Sequence, residues 1–214
     1  VGYDALECRS SVVALVQDGQ SVEEVWQGAE VEMVTSETSF YGEAGGQVGD
    51  RGEITGPTGK VTVMDTMKLP GDIFVHIGRV EQGTLRRGDA VQMRVDETLR
   101  ADTAGHHTAT HILHAVLRKV LGDHVKQAGS LVAPDRLRFD FTHFTAITPE
   151  EITEIEKLVN DEIRGNHDLQ VHEMAIDEAL KTGAMALFEE KYGERVRMVE
   201  IPGFSKELCG GTHA

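Results

Sequence analysis

The sequence has little of what would mark several protein classes. Its 214 residues hold two cysteines, Cys8 and Cys209, so at most one disulfide can form and a reducing cytoplasm is the expected setting. No run of about 18 apolar residues occurs, which excludes a helical membrane span. The stretch VGYDALECRS has neither a basic start nor an apolar core, so no secretory signal is read there. Val1, in place of an initiator methionine, is expected of an excised or processed piece. Basic residues are outnumbered, 21 against 36 acidic ones, for a net charge of −15. The deficit holds along the chain, with 17 acids and 9 bases in residues 1–100 and 19 and 12 in residues 101–214. Binding of nucleic acid by bulk charge is thereby disfavoured, and an RNA partner requires local basic patches. Aromatics are scarce at 5%, yet 40% hydrophobic and 27% charged residues fit a folded globular protein rather than a disordered one. Internal repeats, low-complexity tracts and long linkers are absent from the sequence.

Residues 1–97 read as short β segments punctuated by glycine: VEMVT, KVTVMDT, DIFVHIGRV and AVQMRV, with turns at Gly56-Pro57-Thr58-Gly59 and Arg86-Arg87-Gly88-Asp89. Closely spaced strands with such turns predict a small β-barrel subdomain. Residues 98–214 change texture. Ile112, Leu113, Val116, Leu117, Val120 and Leu121 recur at helical spacing, predicting a helix from Thr103 to Leu121 with Asp102 or Thr103 as its cap. A hairpin strand in LRFDF follows, then a helix capped by Thr148, with Pro149 first, Glu151 completing a capping box and Gly165 as the stop. A strand at 170–176, helical turns over 177–192 broken at Gly183, and a strand at 195–201 complete the reading. The fold class is therefore α+β, a barrel followed by an α+β sandwich core.

Four of the ten histidines crowd into GHHTATHILH. His107 and His111 lie four residues apart, which on a helix stacks two imidazoles on one face within joint reach of a metal. That face lies roughly opposite the apolar stripe. In Cys209-Gly210-Gly211-Thr212-His213 the two glycines let one loop turn both a thiol and an imidazole toward one point. His107, His111, Cys209 and His213 together form a tetrahedral zinc set. The first pair lacks the glutamate of a zincin protease, and the roughly 100 residues between the pairs do not fit a zinc finger. Four protein ligands ordinarily close a structural site, so a catalytic metal needs a labile or distant ligand, or serves to position groups around a cleft.

Neutral hydrogen-bonding residues surround this set: Thr110 beside a ligand, and Gln127, Gly129 and Ser130 after the helix. They suit a small polar substrate whose hydroxyl satisfies a buried partner. The glycine-rich FYGEAGGQVGD lacks the GK[ST] of a P-loop. Gly45 and Gly46 allow either close backbone approach to a ligand or a plain barrel bulge. Arg86-Arg87, Arg118-Lys119 with Lys126, and Arg136 with Arg138 are candidate phosphate contacts that equally suit a solvated face.

FYGEAGGQVGD, HHTATHILH, VKQAGSLV, LRFDFTHF and CGGTHA, in this order and spacing, resemble the editing domain of bacterial alanyl-tRNA synthetase, over essentially the whole chain. Free-standing alanyl-tRNA editing proteins share the two metal pairs, and threonyl-tRNA synthetase editing domains share them more distantly; FYGEAGGQVGD argues against the latter. The resemblance implies hydrolysis of the ester of tRNA(Ala) mischarged with serine or glycine, with Zn(2+) on His107, His111, Cys209 and His213. It implies that Thr110, Gln127 and Ser130 line the aminoacyl pocket and that Gly45, Gly46 and Gln47 face it from the barrel. A water polarised by the metal, or oriented by Gln127 and the tRNA 3′ end, would attack the ester carbonyl. The partners implied are the tRNA(Ala) acceptor end and the remainder of the synthetase chain, with no ATP-binding synthetic core here. The rival readings are a non-catalytic tRNA-binding module with a structural zinc and a zinc hydrolase of another small ester.

Overall fold

Period-two burial builds the first part of the chain. The computed structural model describes residues 2–3, 5–186 and 193–214, and the chain divides into two units, Val1–Asp102 and Thr103–Ala214. In the first unit, strands β1 (Glu7–Gln17), β4 (Glu30–Thr35), β5 (Gly52–Thr55), β6 (Gly59–Leu69), β7 (Ile73–Arg86) and β8 (Ala90–Val95) pair antiparallel. The order β1-β4-β7-β6-β5-β8 returns to β1 and closes a six-stranded barrel; β2 (Gln20–Val22) and β3 (Glu24–Trp26) pair outside the ring, with β1 and β7. Strand β8 shows the cause: Val91, Met93 and Val95 alternate with exposed Ala90, Gln92 and Arg94. The apolar set meets Leu15, Met33, Ile54 and Leu85, all fully buried. Closure leaves the ring without the unpaired edge that an open sheet exposes.

The four β segments read from the sequence are strands β4, β6, β7 and β8, and Gly56 to Gly59 is the turn between β5 and β6. Strand β1 is not legible in the same way. Glu7–Ser11 pair with β8 and Val12–Val16 with β4, with a register shift between Val12 and Ala14 that breaks the alternation.

The long helix, whose first six residues belong to the first unit, differs from its expected start. Helix α1 runs Glu97–Leu121, beginning six residues before Thr103, because Asp96 rather than Asp102 or Thr103 caps it. Its Oδ1 accepts from Leu99 N at 3.0 Å, and its carbonyl accepts from Arg100 N at 3.0 Å. The first turn carries no apolar periodicity and so gives no sign of helix. Strands β9 (Gln127–Ala133) and β10 (Arg136–Phe141) form a hairpin through Pro134-Asp135. Helix α2 (Pro149–Gly165) has the expected capping box, but Gly165 is its last helical residue and Asn166, at φ 48°, is the left-handed stop. Strands β11 (Gln170–Ala175), β12 (Arg195–Ile201) and β13 (Ser205–Leu208) make an antiparallel sheet. Helix α3 spans Ile176–Lys181 and Gly183 sits at φ 83°; residues 187–192 of the expected helical turns lie outside the described residues. The chain is α+β, and the second core joins Ile112, Val116 and Leu117 of α1 to Ile155 of α2 and Ile201 of β12.

Candidate metal centre

Both sides of α1 are covered. Opposite Ile112, Val116 and Leu117, the rings of His107 and His111 meet edge to face with centroids 5.3 Å apart, at 6% and 4% exposure. The other two donors arrive from the end of β13. Cys209 N donates to Arg197 O of β12 at 3.0 Å, and Arg197 Nη1 donates to the carbonyls of Cys209 at 3.2 Å and Gly211 at 2.8 Å. One guanidinium thus folds the Gly210-Gly211 loop back, bringing His213 within 4.4 Å of the His107 ring and 4.6 Å of the His111 ring, centroid to centroid.

The four donor atoms lie within 4.8 Å of one another. Cys209 Sγ is 3.4 Å from His107 Nε2 and 3.3 Å from His213 Nε2. A tetrahedral zinc with bonds of about 2.0 Å to nitrogen and 2.3 Å to sulfur has donor-to-donor edges of about 3.3–3.6 Å. The two edges from Cys209 Sγ fall in that range, and a set of three imidazoles and a thiol fits the metal.

Electrostatics points the same way. Burial, with smaller effects from His111 and Arg197, lowers the His107 pKa to about 3. Burial also lowers His111, against an opposing pull from Glu207, and holds His213 well below the ordinary imidazole range. All three rings are therefore neutral near neutral pH, the form in which an imidazole ligates a metal. Burial pushes the Cys209 thiol up to about 11, so it keeps its proton until a cation displaces it.

Several participating residues carried no recognised signal in the sequence. Thr108 Oγ1 lies 3.3 Å from His213 Nδ1 and accepts from Ala214 N at 3.1 Å. With that acceptor at Nδ1, the lone pair of His213 falls on Nε2, the nitrogen facing Cys209. Glu207, fully buried on β13, lies 3.0 Å from His114 Nδ1 and 3.4 Å from His111 Nδ1. Arg197 is the third. The alternation of SKEL, with Ser205 and Glu207 buried around half-buried Lys206, was the one available hint for Glu207.

The predicted pocket residues fall as follows. Gln127 opens β9, and its Nε2 donates to Ser130 Oγ at 3.2 Å. Thr110 is buried on α1, its hydroxyl donating to His106 O at 2.9 Å, while His106 Nδ1 lies 2.8 Å from Ala133 O. In the barrel unit, Ala44 and Gln47 exchange backbone hydrogen bonds at 3.2 and 3.0 Å around Gly45 (φ 60°) and Gly46 (φ 89°), a tight turn whose two positive-φ centres favour glycine. The side chain of Gln47 is fully buried there. Of the basic candidates, Arg86, Arg87, Arg118, Arg136 and Arg138 each pair with an acidic neighbour: Glu24, Glu23, Asp123, Asp135 and Asp140. As surface pairs these hold little free energy.

Residues 1–99 match the family model described as tRNA synthetases class II (A). Over all 214 residues the chain is 51% identical to the alanine–tRNA ligase of Desulfosudis oleivorans. It is 53% identical to those of Xanthomonas campestris pv. campestris and Xanthomonas oryzae pv. oryzae. The whole chain is covered in each case, but only 24% of each relative, so the chain spans about a quarter of the length of the curated relatives it matches.

Proposed function

We propose that this chain is the editing part of an alanine–tRNA ligase, hydrolysing the ester bond of tRNA(Ala) carrying serine or glycine. The observation that carries the reading is the convergence of the donor atoms of His107, His111, Cys209 and His213 within 4.8 Å of one another. Similarity to alanine–tRNA ligases along the whole chain supports the partners: the tRNA(Ala) acceptor end and the remainder of a synthetase. The ligase's own activity, charging tRNA(Ala) with alanine at the expense of ATP, is assigned to that remainder. The setting is the cytoplasm, where aminoacyl-tRNA is used; no helix among the described residues is long and apolar enough to cross a membrane.

In this reading His107, His111, Cys209 and His213 hold Zn(2+), which when bound polarises an oxygen and stabilises the charge that develops on it. Thr110, Gln127 and Ser130 bind the aminoacyl group. Gln127, linked to Ser130, orients the attacking water. The hydroxyl of serine satisfies a polar partner in the pocket, and alanine, lacking it, is disfavoured; this selection applies to serine and not to glycine, which has no hydroxyl.

The test is to incubate the chain with seryl-, glycyl- and alanyl-tRNA(Ala), follow ester loss, and measure zinc per chain. Loss of serine with alanine spared is expected. A second reading, a non-catalytic tRNA-binding module, is favoured by the four protein donors, since a structural zinc is closed by four. It predicts stoichiometric zinc and tRNA binding with no hydrolysis.

A further inference from the structure

Glu207 is a carboxylate at 1% exposure, on a strand otherwise packed by Ser205 and Leu208. A buried carboxylate is costly unless its oxygens are occupied, and both of these are faced by imidazole nitrogens of α1. Oε1 lies 3.0 Å from His114 Nδ1, a hydrogen bond that the imidazole donates. Oε2 faces His111 Nδ1 at 3.4 Å without hydrogen-bond alignment, and among the described residues that buried nitrogen has no hydrogen-bond partner. His111 and His114 are three residues apart on one helix and straddle the carboxylate, each presenting Nδ1 to a different oxygen. Phe139 packs against the His114 ring at 5.3 Å between centroids, holding it in place.

We infer that Glu207 is the positioning residue of the metal site. Its Oε2 faces the Nδ1 edge of His111 at 3.4 Å, which favours the Nδ1–H tautomer and leaves the lone pair of that ring on Nε2, while its Oε1 is held by His114. The physical basis is general: a ligating imidazole donates its other N–H to an outer carboxylate, which fixes tautomer and ring orientation and makes the ring a better donor. Glu207 lies two residues before Cys209, so one short strand end delivers both a ligand and the group that aims another ligand from the facing helix. The inference rests on reading the four-residue cluster as a zinc site.

The experiment is competitive zinc titration against a chromophoric chelator on the 214-residue chain, together with the visible spectrum of the Co(II)-loaded form. Four proteins are compared: wild type, Glu207→Gln, Glu207→Ala and His114→Gln. Removing an outer partner of this kind is expected to weaken zinc binding about 10- to 100-fold. Glu207→Gln should do so while the Co(II) spectrum keeps its four-coordinate band shape, because the same four donors still bind. His114→Gln leaves Glu207 in place but unheld, and should weaken binding in the same direction; it reads the relay from its other end should the Glu207 variants fail to fold. Zinc affinities equal to wild type in a folded Glu207→Gln or His114→Gln overturn the inference alone. A changed Co(II) spectrum in Glu207→Gln overturns it by making Glu207 a ligand. Failure of wild type to bind zinc at all overturns the metal reading as well, so the two failures are told apart.

Discussion

Arg100 clasps Asp50 inside the barrel unit: its Nε lies 2.9 and 3.0 Å from the two carboxylate oxygens, and Nη2 also donates to Oδ2. The same guanidinium donates to the carbonyls of Gly2 at 2.9 Å and Ser39 at 3.1 Å, and Asp50 Oδ2 accepts from Tyr41 N at 2.6 Å. Asp50 closes the glycine-rich segment and Tyr41 opens it, so this pair ties both ends of that segment to the start of α1. Both side chains are nearly inaccessible to water. Asp50→Ala leaves an uncompensated buried cation and should cost about 3–5 kcal/mol. Glu53→Gln, which breaks the exposed Lys60–Glu53 pair, should cost about 0–1 kcal/mol. Urea unfolding followed by the fluorescence of Trp26, the single tryptophan, measures both; equal costs would show that the Asp50 pair is no more than a surface contact.

What was legible before the structure follows from sequence distance. The spacing of His107 and His111 is set by the local geometry of a helix, and Gly210-Gly211 between Cys209 and His213 is equally local, so each pair could be read by itself. Glu207 touches His114 across 93 residues and Thr108 touches His213 across 105. No periodicity encodes such contacts. In the same way β4 and β8 show themselves through alternation, whereas β1 changes partner at a bulge midway. The start of α1 was missed because Asp96 signals it by a cap alone. Glu151 reinforces the Thr148 cap from its own side of the turn, and there the sequence reading and the structure agree.

Gln127→His is expected to reduce seryl-tRNA(Ala) hydrolysis by about 100-fold, the scale on which a positioned proton-handling or water-orienting side chain acts. Zinc per chain should not change, because Gln127 bonds to Ser130 and lies outside the four-donor group. Single-turnover deacylation paired with metal analysis makes the comparison. Wild-type rates in the variant would remove Gln127 from the pocket.

All four metal donors belong to the second unit, which predicts a selective response to chelation. Withdrawing zinc should lower the melting temperature of that unit while the Trp26 transition of the barrel stays in place. Differential scanning calorimetry alongside Trp26 fluorescence separates the two transitions. Cys209→Ala, with the thiolate gone, should reproduce the chelated protein; a variant that still holds one zinc per chain against the chelator would exclude Cys209 as a ligand.

The barrel should lose stability in mild acid through His76. This ring is buried at 1% exposure, its Nδ1 lies 3.0 Å from Met33 O, and its Nε2 lies 2.8 Å from Thr38 Oγ1, which in turn accepts from Phe40 N. The neutral tautomer satisfies every group: Nδ1–H donates to the carbonyl and Nε2 accepts from the hydroxyl. Burial, opposed by the Met33 carbonyl, lowers the pKa from 6.5 to about 4. The unfolded chain therefore takes up a proton at His76 as pH falls through 6.5, while the folded barrel does not until about 4. Stability from this group is fully present above 6.5 and is lost between there and about 4, on the order of 3 kcal/mol in all. His76→Asn should be less stable than wild type near neutral pH, with the difference shrinking steadily toward about pH 4. Urea unfolding read by Trp26 confines the measurement to the barrel, away from the buried histidines of the metal centre. Parallel stability curves for the two proteins across that interval would mean that His76 does not titrate differently in the folded and unfolded states.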